Sequence, residues 1–253
     1  MRRLLPLLLI GLLAGPAHGH ELRVALGVQD SAGAGKPQAQ SGGLASFNQA
    51  LAREICRRLV SRCTTANVLF TEILPGIENG QYDLGFGNYL RTPEREQRVA
   101  FSAPLWRSSS RLVAVAGQQP RDLSLETLRG VSLVTVQGTQ QANYLHSLPA
   151  ERRLRLSEVT SMAEAMRQLR TGRADFALLP MLSAYALLSQ EKPGQFEFVG
   201  PPLTANGLGG TVHIALPKGA DDLRQSVDQA IAALRADGSY HRITRQYFPF
   251  SLD

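Results

Sequence analysis

Residues 79–86 read NGQYDLGF, and a similar phrase, TGRADFALL, occupies residues 171–179. In each phrase a glycine follows a predicted helix at the position where a left-handed backbone is favourable. An Asp then precedes a short apolar run of the kind that forms a buried strand. The repetition predicts two structural units with the same local architecture, and it carries no chemistry of its own.

Outward from these phrases, strand-like apolar runs alternate with amphipathic helices. Such alternation favours an α/β fold with largely parallel sheets covered on both faces. The predicted strands are residues 22–26, 68–70, 83–86, 131–136, 154–156 and 175–179. The predicted helices are residues 47–59, 73–78, a segment beginning near Gln141, 162–170 and 223–235, the last followed by an aromatic tail.

Two further extended runs connect the repeated units, residues 111–116 and residues 211–216. The first leads from the first unit into the second, and the second leads back. We therefore expect two α/β lobes joined by two extended hinge crossovers. Lobe 1 is predicted to comprise residues 20–108 plus 212–253, and lobe 2 residues 109–211. A cleft between two such lobes is a common place for a small-molecule site.

The first residues have the composition of a secretory signal peptide. Arg2 and Arg3 precede an apolar stretch, residues 4–14, that is shorter than the roughly 20 residues needed to span a bilayer. Residues 17–19 form a small-x-small cleavage signal. We expect residues 1–19 to be removed before His20, which predicts an exported protein. No Cys follows the apolar stretch to carry a lipid anchor.

The overall composition excludes several classes of protein. The 253 residues are 43% hydrophobic and 19% charged, which allows a core and excludes a disordered or fibrous chain. The net charge of +6 comes from scattered basic residues without interleaved aromatics, a pattern that favours solvated surfaces over nucleic-acid binding. The five histidines never stand at metal-ligand spacing. We expect no metal and no cofactor.

The two cysteines, Cys56 and Cys63, form a natural disulfide pair in an oxidising compartment. Seven residues of continuous helix would separate their Cα atoms by about 10 Å, which is too far for a bridge. The helix must therefore end between them if the bridge forms. Two free thiols or half of a metal site are the alternatives, and neither has supporting ligands in the sequence.

Two segments are suited to binding an anion. Thr92 and Pro93 form a strong helix start after a predicted strand, and Arg95, one turn in, can offer two donors to a carboxylate. Residues 138–140 also follow a strand and open a helix, whose free backbone N–H groups favour an anion. A surface ion pair of Arg95 and an ordinary strand-to-helix turn are the respective alternatives. Facing each other across a cleft, the two segments would clamp one carboxylate.

The order and spacing of several short phrases resemble the periplasmic solute-binding proteins of polar amino-acid ABC transporters. That family includes the histidine- and lysine/arginine/ornithine-binding proteins. The resemblance covers nearly the whole predicted mature chain. Its phrases include GQYD at 80–83, TPER at 92–95, FSAP at 101–104, VQGT at 136–139, GRAD at 172–175 and RADGSY at 235–240.

The resemblance implies a bilobal type II periplasmic-binding-protein fold that closes on a ligand and docks, as a monomer, on the membrane permease of an ABC transporter. It implies that Arg95 binds the ligand carboxylate and that Phe70 contacts the ligand side chain. Backbone and hydroxyl groups at the positions of Asn88, Leu90, Thr139 and Gln140 also contact ligand in the family. The Cys56–Cys63 pair falls where the histidine-binding branch has its disulfide.

Three positions depart from the family pattern. Pro180 stands where the family usually has an Asp that pairs with the ligand ammonium, and Leu90 stands where Ser or Thr is common. The aromatic residue of the first loop is missing from residues 29–35, although Asp30 lies near that point and could supply a negative charge. A carboxylate without an ammonium, or one whose ammonium meets Asp30, therefore fits the residues as well as an ordinary amino acid.

Three functions remain open from the sequence. The first is a binding protein without catalysis that captures a small carboxylate, an amino acid or a relative of one. The second is an enzyme on the same fold, related to cyclohexadienyl dehydratases, which needs a general acid or base. Asp30, Glu72 and Glu94 are the nearby carboxylates for that role. The third is an accessory or sensor protein that has lost ligand binding.

Overall fold

The computed structural model describes residues 21–28, 43–118 and 123–252. The predicted leader, residues 1–19, and Asp30 lie outside the described residues. Within the described ranges the chain forms two β-sheets flanked by helices, as the α/β prediction requires. No helix in these ranges is both long enough and apolar enough to span a bilayer.

The first sheet has six strands and contains both early and late parts of the chain. Its members are β1 (Leu22–Val28), β2 (Cys63–Leu69), β3 (Leu84–Leu90), β4 (Ala100–Phe101), β5 (Trp106–Ser108) and, much later, β11 (Gly210–Leu216). The order is β2-β1-β3-β11-β4, with β5 also paired to β11. The returning strand β11 therefore lies inside this sheet and not at its edge.

The second sheet has five strands that follow one another in the chain. They are β6 (Ser110–Val115), β7 (Ser132–Val136), β8 (Arg155–Val159), β9 (Phe176–Pro180) and β10 (Phe196–Leu203), in the order β10-β6-β9-β7-β8. The pairs β7–β8 and β7–β9 are parallel, whereas β6 runs antiparallel to β9 and β10.

Both sheets are thus mixed, which corrects the expectation of largely parallel sheets. The predicted extended runs 111–116 and 211–216 are strands β6 and β11, and each pairs antiparallel with its sheet neighbours. The parallel pairs arise within strand–helix–strand units, whereas β6 and β11 enter their sheets from the other unit and belong to no such unit. The chain passes between the sheets at residues 109 and 204–209.

Eight helices cover the sheets within the described residues. They are α1 (Gly43–Arg58), α2 (Phe70–Glu78), α3 (Pro93–Glu96), α4 (Gln140–His146), α5 (Met162–Arg170), α6 (Met181–Leu188), α7 (Asp221–Ala236) and α8 (Ser239–Tyr247). Helix α5 has the predicted bounds. Helices α6 and α8 and strand β10 were not predicted from the sequence.

The two repeated phrases perform the same structural task in the two sheets. Gly80 and Gly172 both have φ of +69°, which glycine adopts without strain. The Asp83 carboxylate accepts a hydrogen bond from the backbone N–H of Arg23 at 2.8 Å, at the start of β1. The Asp175 carboxylate accepts one from the N–H of Ser132 at 2.6 Å, at the start of β7. Each aspartate thus ties the turn before one strand to the first residues of its parallel neighbour.

The predicted disulfide between Cys56 and Cys63 is confirmed. Helix α1 ends at Arg58, and Val60 adopts a positive φ of 51°, which turns the chain back. The Cα atoms of the two cysteines are consequently 6.3 Å apart, within the range that a bridge requires.

An aromatic cluster joins the second sheet's helix α6 to the first unit. Tyr185 of α6 packs edge-to-face on Phe250, with ring centroids 5.0 Å apart. Phe248, from the same C-terminal segment, packs on Phe47 of α1 at 5.3 Å. These rings belong to the same buried cluster as Trp106, so an apolar contact accompanies the two backbone connections between the units.

Candidate ligand-binding cleft

A cavity lies between the two units, where strands of both sheets end. Ligands in open α/β sheets bind beyond the carboxyl ends of the strands. The first unit contributes Gly27, Val28, Leu44, Ala45, Phe70, Gly87, Asn88, Leu90, Arg95 and Ser108 to the wall. The second unit contributes Val136, Thr139, Gln140, Gln141, Thr160, Ser161, Met162, Pro180 and Ser183.

The predicted helix start at Thr92 is formed as expected and places Arg95 in the cavity wall. The Thr92 hydroxyl accepts a hydrogen bond from the backbone N–H of Arg95 at 3.3 Å, and Pro93 occupies the first helical position. Arg95 is only 8% exposed. The alternative of a surface ion pair is therefore wrong: Arg95 is buried, and no carboxylate of the described residues pairs with it.

The Arg95 guanidinium donates to backbone carbonyls on both sides of the cleft. Its Nη1 lies 2.9 Å from the carbonyl oxygen of Leu90, and its Nη2 lies 3.2 Å from that of Gly138. Gly138 follows β7 of the second sheet and has a φ of +70°. This hydrogen bond therefore connects the two units directly across the cavity.

Two aromatic rings support the guanidinium. The Cζ atom of Arg95 lies 5.1 Å from the centroid of Tyr89 and 5.9 Å from that of Phe70. The Tyr89 hydroxyl donates to the carbonyl of Phe70 at 2.5 Å, and burial raises the pKa of this hydroxyl. The ring therefore stays neutral and offers only its π-face to the cation.

The described wall of the cleft carries charge of one sign, positive. Burial lowers the pKa of the Arg95 guanidinium below its ordinary value, because the charged form loses hydration. An arginine nevertheless remains protonated at physiological pH. Arg95 is also the one charged side chain among the described residues that line the cavity. The wall thus presents a positive charge surrounded by neutral groups.

The structure places Phe70, Asn88, Leu90, Arg95, Thr139 and Gln140, six of the seven residues predicted to contact ligand, on the cavity wall. The seventh, Asp30, lies outside the described residues. Asn88 and Leu90 were expected in a loop after a strand ending near Phe86, but β3 continues to Leu90. The strand is longer because β11 pairs with Tyr89 and Leu90. Phe70, expected to end a strand, begins helix α2 instead.

The turn at Thr139 differs from the expected anion cradle. The Thr139 hydroxyl donates to the carbonyl of Val136 at 2.6 Å and accepts from the N–H of Ala142 at 3.2 Å, so it is engaged within its own turn. The preceding residue, Gly138, offers a carbonyl to Arg95. In this structure the turn therefore meets the guanidinium directly.

Several wall residues were missed by the sequence analysis. Thr160 and Ser161 follow β8, and the Ser161 hydroxyl accepts from the N–H of Glu164 at 3.3 Å as the cap of α5. Their position after a strand and before a helix is the same signal that identified Thr92. Gln141 donates to the Ser110 hydroxyl at 2.7 Å, and Ser110 donates to the carbonyl of Leu208 at 2.6 Å. These two hydrogen bonds link the cleft to both connections between the sheets. They join residues far apart in the sequence, so no local sequence pattern predicts them.

The sequence was compared with those of known proteins. Residues 34–250 match the profile of the bacterial extracellular solute-binding proteins, family 3. The histidine-binding periplasmic protein of Escherichia coli K12 is 28% identical over 213 residues, which are 83% of this chain and 82% of that protein.

Solved structures with the same fold include an ancestral arginine-binding protein bound to arginine, with a TM-score of 0.78 and 23% identity over 90% of this chain and 98% of that one. Another is an ancestral amino-acid-binding protein that is a precursor of cyclohexadienyl dehydratase. Its TM-score is 0.73 at 20% identity, over 90% of this chain and 95% of that one. At these identities the structural likeness shows the fold alone.

Proposed function

The chain belongs to family 3 of the bacterial extracellular solute-binding proteins, and from that premise we propose that it captures a small carboxylate ligand, an amino acid or a relative of one. The ligand would bind between the two units and be delivered to the membrane permease of an ABC transporter. The predicted export of the chain agrees with the extracellular character of its family.

The buried, unpaired charge of Arg95 is the observation that carries this proposal. A buried ion costs several kcal/mol unless it is paired and hydrogen-bonded. Two carbonyls and two rings compensate only part of that cost. A ligand carboxylate would supply the missing negative charge and could accept two parallel hydrogen bonds from the guanidinium.

Closure of the two units on the ligand is the second part of the proposal. We take residues 20–108 plus 212–253 as one lobe and 109–211 as the other, a division that the strands of the two sheets support except at Gly210 and Thr211, which begin β11 of the first sheet. Arg95 reaches Gly138 across the cleft, so ligand contacts from both lobes would exist together only when the lobes are closed. A ligand that binds the closed form better shifts the population toward it.

The two other functions find less support in the described residues. No Asp, Glu, His or Cys among them lines the cavity, so none can serve there as a general acid or base. Glu72 and Glu94 are not wall residues, and the Glu72 carboxylate accepts from the N–H of Leu69 at 3.1 Å, at the start of α2. An accessory protein without a ligand would have little reason to keep an unpaired buried arginine in an open wall.

A thermal-shift screen of the mature chain against amino acids and small carboxylates tests the proposal. A ligand bound only to the folded form at a hundred times its dissociation constant adds about 2.7 kcal/mol of stability. For a domain of this size that corresponds to a rise in melting temperature of about 5–10 °C. No shift with any compound would favour the accessory function. Mass spectrometry of the bound compound after incubation would reveal turnover and so favour the enzyme. Gel filtration tests the expected monomer.

A further inference from the structure

The charge and polarity of the cleft wall point to a narrower class of ligand. Resting on the proposed function, we infer that the ligand is a small carboxylate that bears no ammonium or other positive group and whose remaining body is mainly apolar. Short aliphatic or aromatic carboxylates and their 2-oxo or 2-hydroxy derivatives belong to this class.

The described part of the wall contains no negative charge that could pair with a ligand ammonium. Once the ligand carboxylate is paired with Arg95, an ammonium on the same ligand would be left close to that guanidinium. No carboxylate among the described wall residues could neutralise it. A positive group buried beside another positive group is unfavourable both through repulsion and through lost hydration.

The side-chain hydrogen-bond acceptors of the described wall are all neutral. An ammonium has three donors to satisfy. Among the described wall residues, one side-chain atom is buried without a partner, the Oδ1 of Asn88. The hydroxyls of Thr139 and Ser161 already accept backbone N–H groups. Further neutral acceptors line the wall, the side-chain oxygens of Ser108, Gln140, Gln141 and Thr160. Neutral oxygens can accept a hydrogen bond from a ligand hydroxyl, but they do not supply the negative charge that a buried ammonium needs.

Pro180 lies on the wall at the end of β9. It precedes α6 as the cap residue and makes no side-chain hydrogen bond. Its ring therefore presents hydrocarbon to the cavity, opposite the first unit. An acidic side chain at this point would have completed a site for a zwitterion, and proline cannot do so.

The remaining wall favours an apolar ligand body of limited size. Hydrocarbon surrounds the polar groups on both sides of the cleft and comes from Val28, Leu44, Phe70, Val136 and Met162. The cavity has a volume of about 80 Å³, enough for several waters. A long cationic chain would lie against apolar walls in this space without a partner for its charge.

Calorimetric titration with matched ligands tests the inference. Each set keeps one carbon skeleton and changes only the 2-position: leucine, 4-methyl-2-oxopentanoate and 4-methylpentanoate; phenylalanine, phenylpyruvate and 3-phenylpropanoate; alanine, pyruvate and propanoate. We expect the best member of the series to lack the ammonium and to bind at least ten-fold more tightly than its amino acid. Arginine should not bind.

The outcomes separate the inference from the function on which it rests. An amino acid that binds as tightly as its deaminated counterparts, and loses affinity in Arg95→Ala, would overturn the inference and leave the proposed function standing. If the affinity for that amino acid fell in Asp30→Asn, its ammonium would be assigned to Asp30. Binding by no compound, or binding that Arg95→Ala leaves unchanged, would overturn the proposed function itself.

A variant of the wall provides a second test. Pro180→Asp introduces a carboxylate at a helix cap, where Asp is a favoured residue, so the variant is expected to fold. It should shift the affinity ratio at least ten-fold toward the amino acid of each pair, whereas Pro180→Ser, the neutral control, should leave the order unchanged. A folded Pro180→Asp protein with the wild-type ratio would show that wall charge does not set the preference, contrary to the inference.

Discussion

Arg95 and Arg111 are two arginines with similar surroundings, one beside each sheet. Burial lowers the pKa of both guanidinium groups. Each stacks on an aromatic ring, Arg95 at 5.1 Å from Tyr89 and Arg111 at 4.9 Å from Phe198. Each donates to a backbone carbonyl, and neither is paired with a carboxylate of the described residues.

The difference between them is what each guanidinium faces. Arg111 donates to the carbonyl of Gly200 at 3.0 Å, within the second sheet, and its buried Nε has no partner. Arg95 borders the cavity and reaches the opposite unit. An arginine that lacks a carboxylate partner is therefore not a binding site by itself, since Arg111, which is only partly buried, can be explained as part of the fold. Arg95 differs because it borders a cavity that both units line, where a ligand carboxylate can reach its guanidinium.

The largest expected effect that tests this comparison is on ligand binding by Arg95→Ala. Loss of a charge-assisted contact should weaken binding at least ten-fold, since hydrogen bonds to charged groups contribute about 1.5–3 kcal/mol. Calorimetry with a ligand found by the screen measures the effect. Arg98→Ala is the matched control, because it removes the same charge three residues away, from an exposed pair with Glu78. Equal affinity of wild type and Arg95→Ala would remove the distinction between the two arginines.

Arg111→Ala should show the opposite pattern. It loses the hydrogen bond to Gly200 and the stacking on Phe198, so the free energy of unfolding should fall by about 1–2 kcal/mol. Ligand affinity should stay within about two-fold of wild type, because the side chain does not line the cavity. Urea unfolding and calorimetry measure the two quantities. A loss of affinity like that of Arg95→Ala would mean that both arginines serve the ligand.

The smallest expected effect is on the pH dependence of stability and concerns His213. This buried side chain can lose its proton near neutral pH, whereas the two arginines stay protonated. Its Nδ1 donates to the carbonyl of Ser102 at 2.6 Å, and burial, together with the nearby Arg91, lowers its pKa despite Asp228 and Glu96. Between the lowered folded pKa and the unfolded value near 6.5, the unfolded state binds more protons. The free energy of unfolding should therefore fall as pH drops below about 6.5.

His213→Gln isolates this contribution, because it cannot be protonated. Urea unfolding at pH 7.5 and pH 5 should show a smaller loss of stability on acidification in the variant than in wild type. An identical loss in both proteins would show that the buried imidazole does not oppose protonation.

Much of the fold could be predicted because many elements carry local signals. Helix α5 was predicted with its observed bounds, since its apolar residues recur at helical spacing. Helix α6 was missed because it directly follows β9 in one apolar run, in which no period separates strand from helix. Strand β10 contains two prolines near its end, which argue against a strand. Helix α8 was predicted as part of an aromatic tail, because its Tyr240 and Tyr247 lie close in sequence to Phe248 and Phe250.

The candidate site divides in the same way. Arg95 could be predicted because Thr92 and Pro93 define the helix start that positions it. The hydrogen bond from Arg95 to Gly138 joins residues 43 positions apart in the chain and depends on how the two units meet. The support from Tyr89 likewise depends on the packing of β3 against α2. No pattern within either segment contains that information.

The position of β11 has a consequence for how the protein is made. The second sheet uses only strands that lie between residues 110 and 203, whereas β11 fills the place between β3 and β4 in the first. A growing polypeptide, which emerges N-terminus first, holds every strand of the second sheet before it holds the strand that completes the first. A product truncated before residue 210 would therefore leave three strands of the first sheet, β3, β4 and β5, without the partner that β11 provides, and unpaired strand edges favour aggregation.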